Sequence, residues 1–479
     1  MRIAQKKTPA GSGRFVSGGP GRNRTTDTRI FNPLLYQLSY QAKTQEYSKT
    51  IPFRKARSWF GWRHYNAGMD DFISANAANA GGDVCIVGDG VIGKTAALAL
   101  ARAGVGVTLL APPAGAAPAP AAAEDWDLRV YALNHVARAL LSSLKVWDAL
   151  DAARVTAVDA MAVHGDGEGR AGRLDFDAYG ARAGALAWIV EHRNLNQALD
   201  GALRFASNVR LLRGRAERLA VSAQAARLQL ADGAAISAAL VVGADGGQSW
   251  VRHQMDIGID YRPYGQRAVV ANFSCELPHR GVAAQWFTSA EGIIALLPLA
   301  GQRVSLVWSA PEALAQTLLR EPLARLAERL TQLPGQALGR LQPLAPEAAR
   351  AFPLALIRAH QLTAPRVALV GDAAHVVHPL AGHGMNLGFA DVAALATALA
   401  ARGPDGDCGD ARLLAGYARA RKEEVLLMQI ATDGLERLFA ADFEPLRVAR
   451  NLGLNLVNKL PVIKRSLMAH AMGKPTNLE

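Results

Sequence analysis

Cysteine is scarce: Cys85, Cys275 and Cys408 are the only three in 479 residues, far apart and with no C-x-x-C or Cys/His ligand spacing. That excludes a disulfide framework and a structural zinc site, leaves no metal centre to expect, and fits a reducing compartment. No apolar run reaches the ~18 residues that a spanning helix needs, so no transmembrane helix is expected. Acidic residues are nearly missing from residues 1–68, which hold 13 Lys and Arg against 2 Asp and Glu. The whole chain carries +12, yet residues 69–479 hold 40 basic against 39 acidic side chains. A near-neutral body lacks the basic surface that phosphate backbones require, which excludes nucleic acid as a partner.

Residues 1–68 also lack a helical or strand period, and their Gly, Ser, Thr and Arg content is that of unfolded chain. They contain no apolar signal core, although an Arg-rich, acid-poor composition also suits a transit peptide. A third explanation, the favoured one, is that translation begins at Met69, shortly before the first apolar strand. The segment is read as a disordered or wrongly included extension and is given no function. With 50% hydrophobic residues, the remainder can bury a large core in two or three domains.

What is present starts at residues 83–112. An apolar strand at 84–87 runs into Gly88, Gly90 and Gly93, then a helix in which Ala97 and Ala101 are small enough to pack on a sheet, then a second strand at 107–110. This β-α-β context turns a weak glycine pattern into a dinucleotide-binding expectation. One part is missing. Ala111, followed by Pro112, stands where an acidic residue usually holds the adenosine ribose, so another residue holds it or it is held more loosely.

Residues 369–395 repeat the logic: an apolar strand stops at Gly371-Asp372, and after Pro379 the run Gly382-His383-Gly384-Met385-Asn386 opens a helix through Asp391. Asp372 could take a sugar-type hydroxyl, and the helix start could face an electron-rich ring. The plain alternative is a strand, a turn and a core helix, but so many glycines would then cost stability without return. A third strand, near 240, ends at Gly243-Ala244-Asp245-Gly246, with Ser249 and Arg252 in the next helical turn. One cofactor spanning three strand ends explains all three stretches. Only one glycine fingerprint exists, so a nicotinamide donor has no domain of its own and binds transiently.

The rest is less specific. Arg129, just upstream of an amphipathic helix, could reach a pyrophosphate or be a surface arginine. His192 could be a substrate-side base; a helix-cap or surface histidine is the commoner outcome. Residues 159–179 read as a hairpin, and strands of period two follow at 268–275, 282–288, 292–298 and 304–309. Tyr264, Phe273, Trp286, Phe287 and Trp308 suit a large apolar ligand or an ordinary core. Residues 311–341 read as helical, as does the chain beyond Asp410. The basic, apolar stretch 452–472 could lie on a membrane, on a partner or simply against the protein.

Taken together, Gly88–Gly93, the 127–133 stretch, GADGGQSWVR, YGQRA from Tyr264, FTSAEGIIALLPL, GDAAHVVHPLAGHGMNLG and the tail DGLERLF resemble the FAD-dependent aromatic hydroxylases of ubiquinone biosynthesis, a group typified by p-hydroxybenzoate hydroxylase. The resemblance covers residues 83–473, with Ala111 and His383 as departures; the branch usually has Gln at the latter. It implies an α/β fold: a Rossmann-like FAD-binding domain (83–158, 180–258, 356–404), an inserted, mostly antiparallel substrate domain (159–179, 259–355) and C-terminal helices (405–479). It implies ring hydroxylation of a prenylated phenol with NAD(P)H and dioxygen (O2), by way of a flavin hydroperoxide. Gly88, Gly90, Gly93, Arg129, Asp245 and Asp372 are expected at FAD, with Pro379, Gly382, Gly384, Met385 and Asn386 near the ring. No residue is assigned as acid or base. Same-fold alternatives are a reductase of a prenyl substrate and a non-catalytic FAD-binding subunit of a ubiquinone-biosynthesis assembly. The expected location is cytoplasmic, peripheral on the inner face of the membrane, with a biosynthetic protein complex as a further partner.

Overall fold

The computed structural model describes residues 83–113, 125–166, 172–344, 349–403, 406–441 and 443–473. Residues 1–68 lie outside the described residues, as does most of the Ala/Pro-rich stretch 112–123, which the sequence reads as a linker. Six strands form one sheet in the order Thr363–Ala364, Val367–Leu369, Leu240–Gly243, Val84–Val87, Val107–Ala111 and Val209–Arg213. All neighbours are parallel except the two-residue edge strand. The sequences VCIV and LVVG are continuously apolar because both faces are covered. Val84 and Ile86 face the helices Val91–Arg102 and His383–Ala400, while Cys85 and Val87 face a small antiparallel sheet of Ala216–Val221, Ala226–Leu230 and Ala235–Ala238.

A second, nine-stranded sheet runs His375–Val376, Arg350–Ala359, Ile259–Cys275, Arg303–Pro311, Gly292–Leu299, Val282–Thr288, Ala160–His164 and Arg173–Asp177, with Leu341–Pro343 against Ile259–Cys275. Every pair is antiparallel except Val282–Thr288 with Ala160–His164. Its longest strand begins at Ile259, earlier than the period-two pattern shows, because a bulge interrupts the alternation. Gly265 takes φ 68° and the register shifts between Pro263 and Arg267. Two further differences come from proline. The expected helical run 311–341 is two helices, Glu312–Arg320 and Leu323–Thr331, because Pro322 forces Glu321 into extended backbone. The C-terminal run is three helices, Ala411–Ala440, Glu444–Asn458 and Pro461–Met472, the last two opening at Pro445 and Pro461.

The two sheets meet at one turn. Val367–Leu369 belongs to the parallel sheet and His375–Val376 to the nine-stranded one. A fully buried carboxylate holds the turn between them: Asp391 Oδ2 accepts from the Gly371 N–H at 2.9 Å and pairs with His375 Nε2 at 2.7 Å. Its Oδ1 accepts from Arg421 Nε at 2.7 Å, and Tyr417 Oη donates to the Leu369 carbonyl at 2.7 Å. Burial alone would raise Asp391, but His375 and Arg421 outweigh it and hold the carboxyl below its usual range. Burial alone would lower His375, but Asp391 outweighs it and the imidazole is held above its usual range.

Asp391→Asn removes the carboxylate that His375 and Arg421 share and leaves Arg421 with Glu424 alone, and the expected cost is about 3–5 kcal/mol in urea unfolding, against about 1 kcal/mol for Tyr417→Phe. Asp391's share of stability is present above its unfolded pKa and is lost as pH falls through the depressed folded value. His375's share is present below its unfolded pKa and is lost as pH rises through the elevated one. An unfolding midpoint of Asp391→Asn equal to wild type refutes the assignment.

Candidate functional site

Three strand ends lie side by side at the carboxyl edge of the parallel sheet: Val87-Gly88, Gly243-Ala244 and Leu369 through Gly371. Gly88 has φ 111°, and a Cβ there would stand 2.4 Å from the Ala244 carbonyl oxygen. At Gly93 a Cβ would stand 1.9 Å from the Gly88 carbonyl oxygen, whereas at Gly90 it would meet nothing within 4 Å. Gly88 and Gly93 therefore allow the chain to pack on itself, and Gly90 leaves open space above it.

Two helices begin at this edge without a side-chain cap. Gly90 precedes Val91–Arg102, and Gly382, at φ 68°, precedes His383–Ala400, which has no acidic residue in its first turn. Their first N–H groups therefore call for an acceptor from outside. Asp245 Oδ2 accepts from the Val251 N–H at 3.0 Å, while Oδ1 is buried with no partner among the described residues. Asp372 is exposed just beyond the end of the strand Val367–Leu369. The surrounding protein pushes its carboxyl up, against the pull of His375 and Arg129. Arg129 is near enough to act on the Asp372 charge, its guanidinium 5.5 Å from the Tyr131 ring.

The ring-side residues divide by role. Pro379 starts the turn Leu380–Gly382, and a Cβ on Gly382 would touch Ala132 at 3.0 Å. Gly384 has room, with only Val377 at 3.8 Å, while Met385 packs into the core beside Tyr131 and Phe389. The Asn386 amide is bonded to backbone: it donates to Ala132 O at 2.8 Å and Gly382 O at 3.1 Å, and accepts from the Asn134 N–H at 2.9 Å. A ligand here would meet main-chain N–H groups rather than the Asn386 side chain. Burial pushes His383 down to about 4, so its imidazole is neutral near pH 7. Ala111 ends its strand in register with Arg213. His192 is bound to Tyr131 Oη at 2.7 Å and to Asn196, and burial lowers it. Burial likewise pushes Tyr131 up to about 12, so this pair stays neutral.

A cavity of about 260 Å³ lies between the nine-stranded sheet and Ala411–Ala440, and two of its lining residues, Ile293 and Phe439, pack in one cluster with Leu380. It is lined by Tyr264 and Gln266, by Thr288 and Ser289, and by Glu436 and Phe439. Each pair belongs to a string noted in the sequence, YGQRA, FTSAEG and DGLERLF, but nothing local shows that the three converge. The pairing of Asp391 with His375 and Arg421 was not legible either, since the three lie on a helix, a two-residue strand and a second helix, 16 and 30 positions from Asp391. Among the described residues no group of His, Cys, Asp and Glu forms a metal site.

Glycine-lined strand ends, uncapped helix starts and an unpartnered carboxylate oxygen fit a dinucleotide and define the fold class as a nucleotide-binding oxidoreductase. The family described as FAD binding domain matches residues 82–428, and the chain belongs to it, within the FAD-dependent hydroxylases of ubiquinone biosynthesis. It is 38% identical over 393 residues to ubiquinone hydroxylase UbiL of Rhodospirillum rubrum, covering 82% of this chain and 89% of that protein. It is 35% identical to 3-demethoxyubiquinol 3-hydroxylase of Escherichia coli, covering 82% and 98%. Among solved structures, p-nitrophenol 4-monooxygenase PnpA of Pseudomonas putida DLL-E4 superposes with TM-score 0.65 at 20% identity, covering 83% of this chain and 100% of that one, a likeness of fold. FAD is the cofactor.

Gly90→Val separates ligand approach from folding. Because a side chain at 90 meets no protein atom, the apoprotein should melt as wild type while FAD affinity falls about tenfold or more. Gly93→Ala should instead lower the melting temperature itself. Unchanged FAD affinity in Gly90→Val, measured by titrating apoprotein, places the pyrophosphate elsewhere.

Proposed function

We propose that this protein hydroxylates the aromatic ring of a prenylated phenol on the route to ubiquinone, with NAD(P)H and dioxygen as co-substrates. The observation that carries the reading is the pairing of a dinucleotide cradle with a cavity of mixed apolar and polar lining, joined through Leu380 of one turn. Bound FAD supplies hydride acceptance and oxygen activation. The chain's own residues bind and orient. Gly88, Gly90 and Gly93 with the Val91 helix start receive the pyrophosphate, and Asp372, Asp245 and Arg129 take the polar remainder. Pro379, Gly382, Gly384, Met385 and Asn386 shape the ring-side turn, where main-chain N–H groups at the His383 helix start favour negative charge. The domain division follows the same lines: 83–158, 180–258 and 356–404 hold the cofactor, 159–179 and 259–355 the substrate.

The C-terminal helices add a location. Among the described residues no helix is long and apolar enough to cross a membrane. Leu452, Leu456, Val462, Ile463 and Leu467 are nonetheless exposed, with Lys459, Lys464 and Arg465 among them. This surface supports a peripheral seat on anionic lipid, close to a water-insoluble substrate.

The test supplies NAD(P)H, air and a phenol bearing one isoprene unit to the FAD-loaded protein. A product heavier by one oxygen atom, with NAD(P)H consumption stimulated by the phenol, is the expected outcome. Stimulated NAD(P)H consumption with a reduced prenyl chain and no oxygenated product would overturn it in favour of a reductase. Failure to retain FAD would overturn it in favour of a non-catalytic subunit.

A further inference from the structure

The cavity's chemistry is specific. Two of its hydroxyls are satisfied internally, Thr288 Oγ1 donating to Gly292 O at 3.0 Å and Ser289 Oγ to Asp166 Oδ2 at 3.0 Å, whereas the Tyr264 hydroxyl is buried with no partner among the described residues. Ile293 and Phe439 make an apolar wall that also packs on Leu380 of the ring-side turn. One carboxylate, Glu436, is among the lining residues. Glu436 is only 8% exposed, and its sole hydrogen bond in the described structure comes from the Gln266 amide to Oε1 at 3.1 Å. A carboxylate offers about four acceptor positions, so most of its capacity is unmet. Arg262, the nearest cation acting on it, is paired with Asp433, which also takes Arg437 at 3.1 Å.

Gln266 is fixed from its other end. With its N–H₂ on Glu436, its carbonyl faces His378 Nε2 at 3.2 Å. His378 is 1% exposed and burial keeps it neutral, so Nε2 carries the proton and donates. The chain His378–Gln266–Glu436 thus runs from the residue before Pro379 into the cavity. The bulge at Gly265 sets the aim of Gln266.

We infer that Glu436 accepts the hydrogen bond of the substrate's free ring hydroxyl in this cavity, with Gln266 and His378 as positioning residues that hold the carboxylate in place. The inference rests on the proposed ring hydroxylation and adds the group that selects the ring. At about 260 Å³ the cavity lies just below the ~300–1,000 Å³ usual for small-molecule sites. It holds a substituted phenol ring and no long prenyl chain. Phe439 and Ala440 end their helix at the cavity rim, three residues before exposed Phe443, so the chain leaves along the apolar C-terminal surface. A hydroxyl donating to a buried carboxylate also increases the electron density of its ring, which favours attack by an electrophilic oxygen.

The test is calorimetric and needs no turnover. FAD-loaded wild-type protein is titrated with the phenol bearing one isoprene unit and with its O-methyl ether, which has no proton to donate. The phenol should bind about tenfold or more tightly than the ether, the factor expected for one charge-assisted hydrogen bond. Glu436→Gln, which keeps the acceptor for Gln266 but removes the charge, should bring the two affinities within about twofold. Equal binding of phenol and ether by wild type overturns the inference, as does an undiminished preference in Glu436→Gln. Because binding is read without product, a failure of the hydroxylation assay is told apart from a failure of Glu436.

Discussion

A single buried carboxylate decides where the parts of this protein stand. Asp391 is fully enclosed, and its two oxygens gather a main-chain N–H from Gly371, the imidazole of His375 and the guanidinium of Arg421. Those partners come from the end of a parallel strand, the edge of the antiparallel sheet and the long C-terminal helix. Such a cluster is a poor source of net stability compared with well-packed apolar groups, because desolvating the charges costs about as much as their attraction returns. Its value lies in position. Each bond ties a different element to Asp391, so the turn that presents Asp372 is held from three sides.

That placement links cofactor and substrate chemistry. Residues 370–374 close the cradle on one side, and His378 begins the polar chain to Glu436 on the other. The intervening turn is short, so a shift in the helix His383–Ala400 moves both sites together. Asn386 reinforces the link by bonding the helix to the strand Val130–Leu133 at Ala132.

The cradle was legible in the sequence because each piece is local: Gly88 to Gly93, Gly243 to Asp245, and Gly371-Asp372 each fall within a few residues of a strand end. Their common edge was legible too, since parallel strands present all such ends on one side. The cavity was not. Gln266 and Glu436 are 170 positions apart, and only tertiary folding brings them within hydrogen-bonding distance. The early start of the strand at Ile259 was hidden by the bulge at Gly265, which breaks the alternation that reveals strands. The division of the helical run at Pro322 could have been read from that residue alone, given how proline restricts the residue before it.

The nine-stranded sheet also has a property of a different kind. Ile259 and Ala359, where the chain enters and leaves the bulk of that sheet, are register partners on adjacent strands. Partnered strand residues sit about 5 Å apart, so the hundred residues between them form a loop whose ends already meet. Such an insert can be exchanged between relatives as a cassette without altering the span it must bridge. Three strands come from outside the loop: Ala160–His164, which pairs with Val282–Thr288, Arg173–Asp177 beside it, and His375–Val376, which pairs with Arg350–Ala359. Evolution could therefore trade substrate preference by replacing one continuous segment, provided that the registers of its two pairings with outside strands were kept.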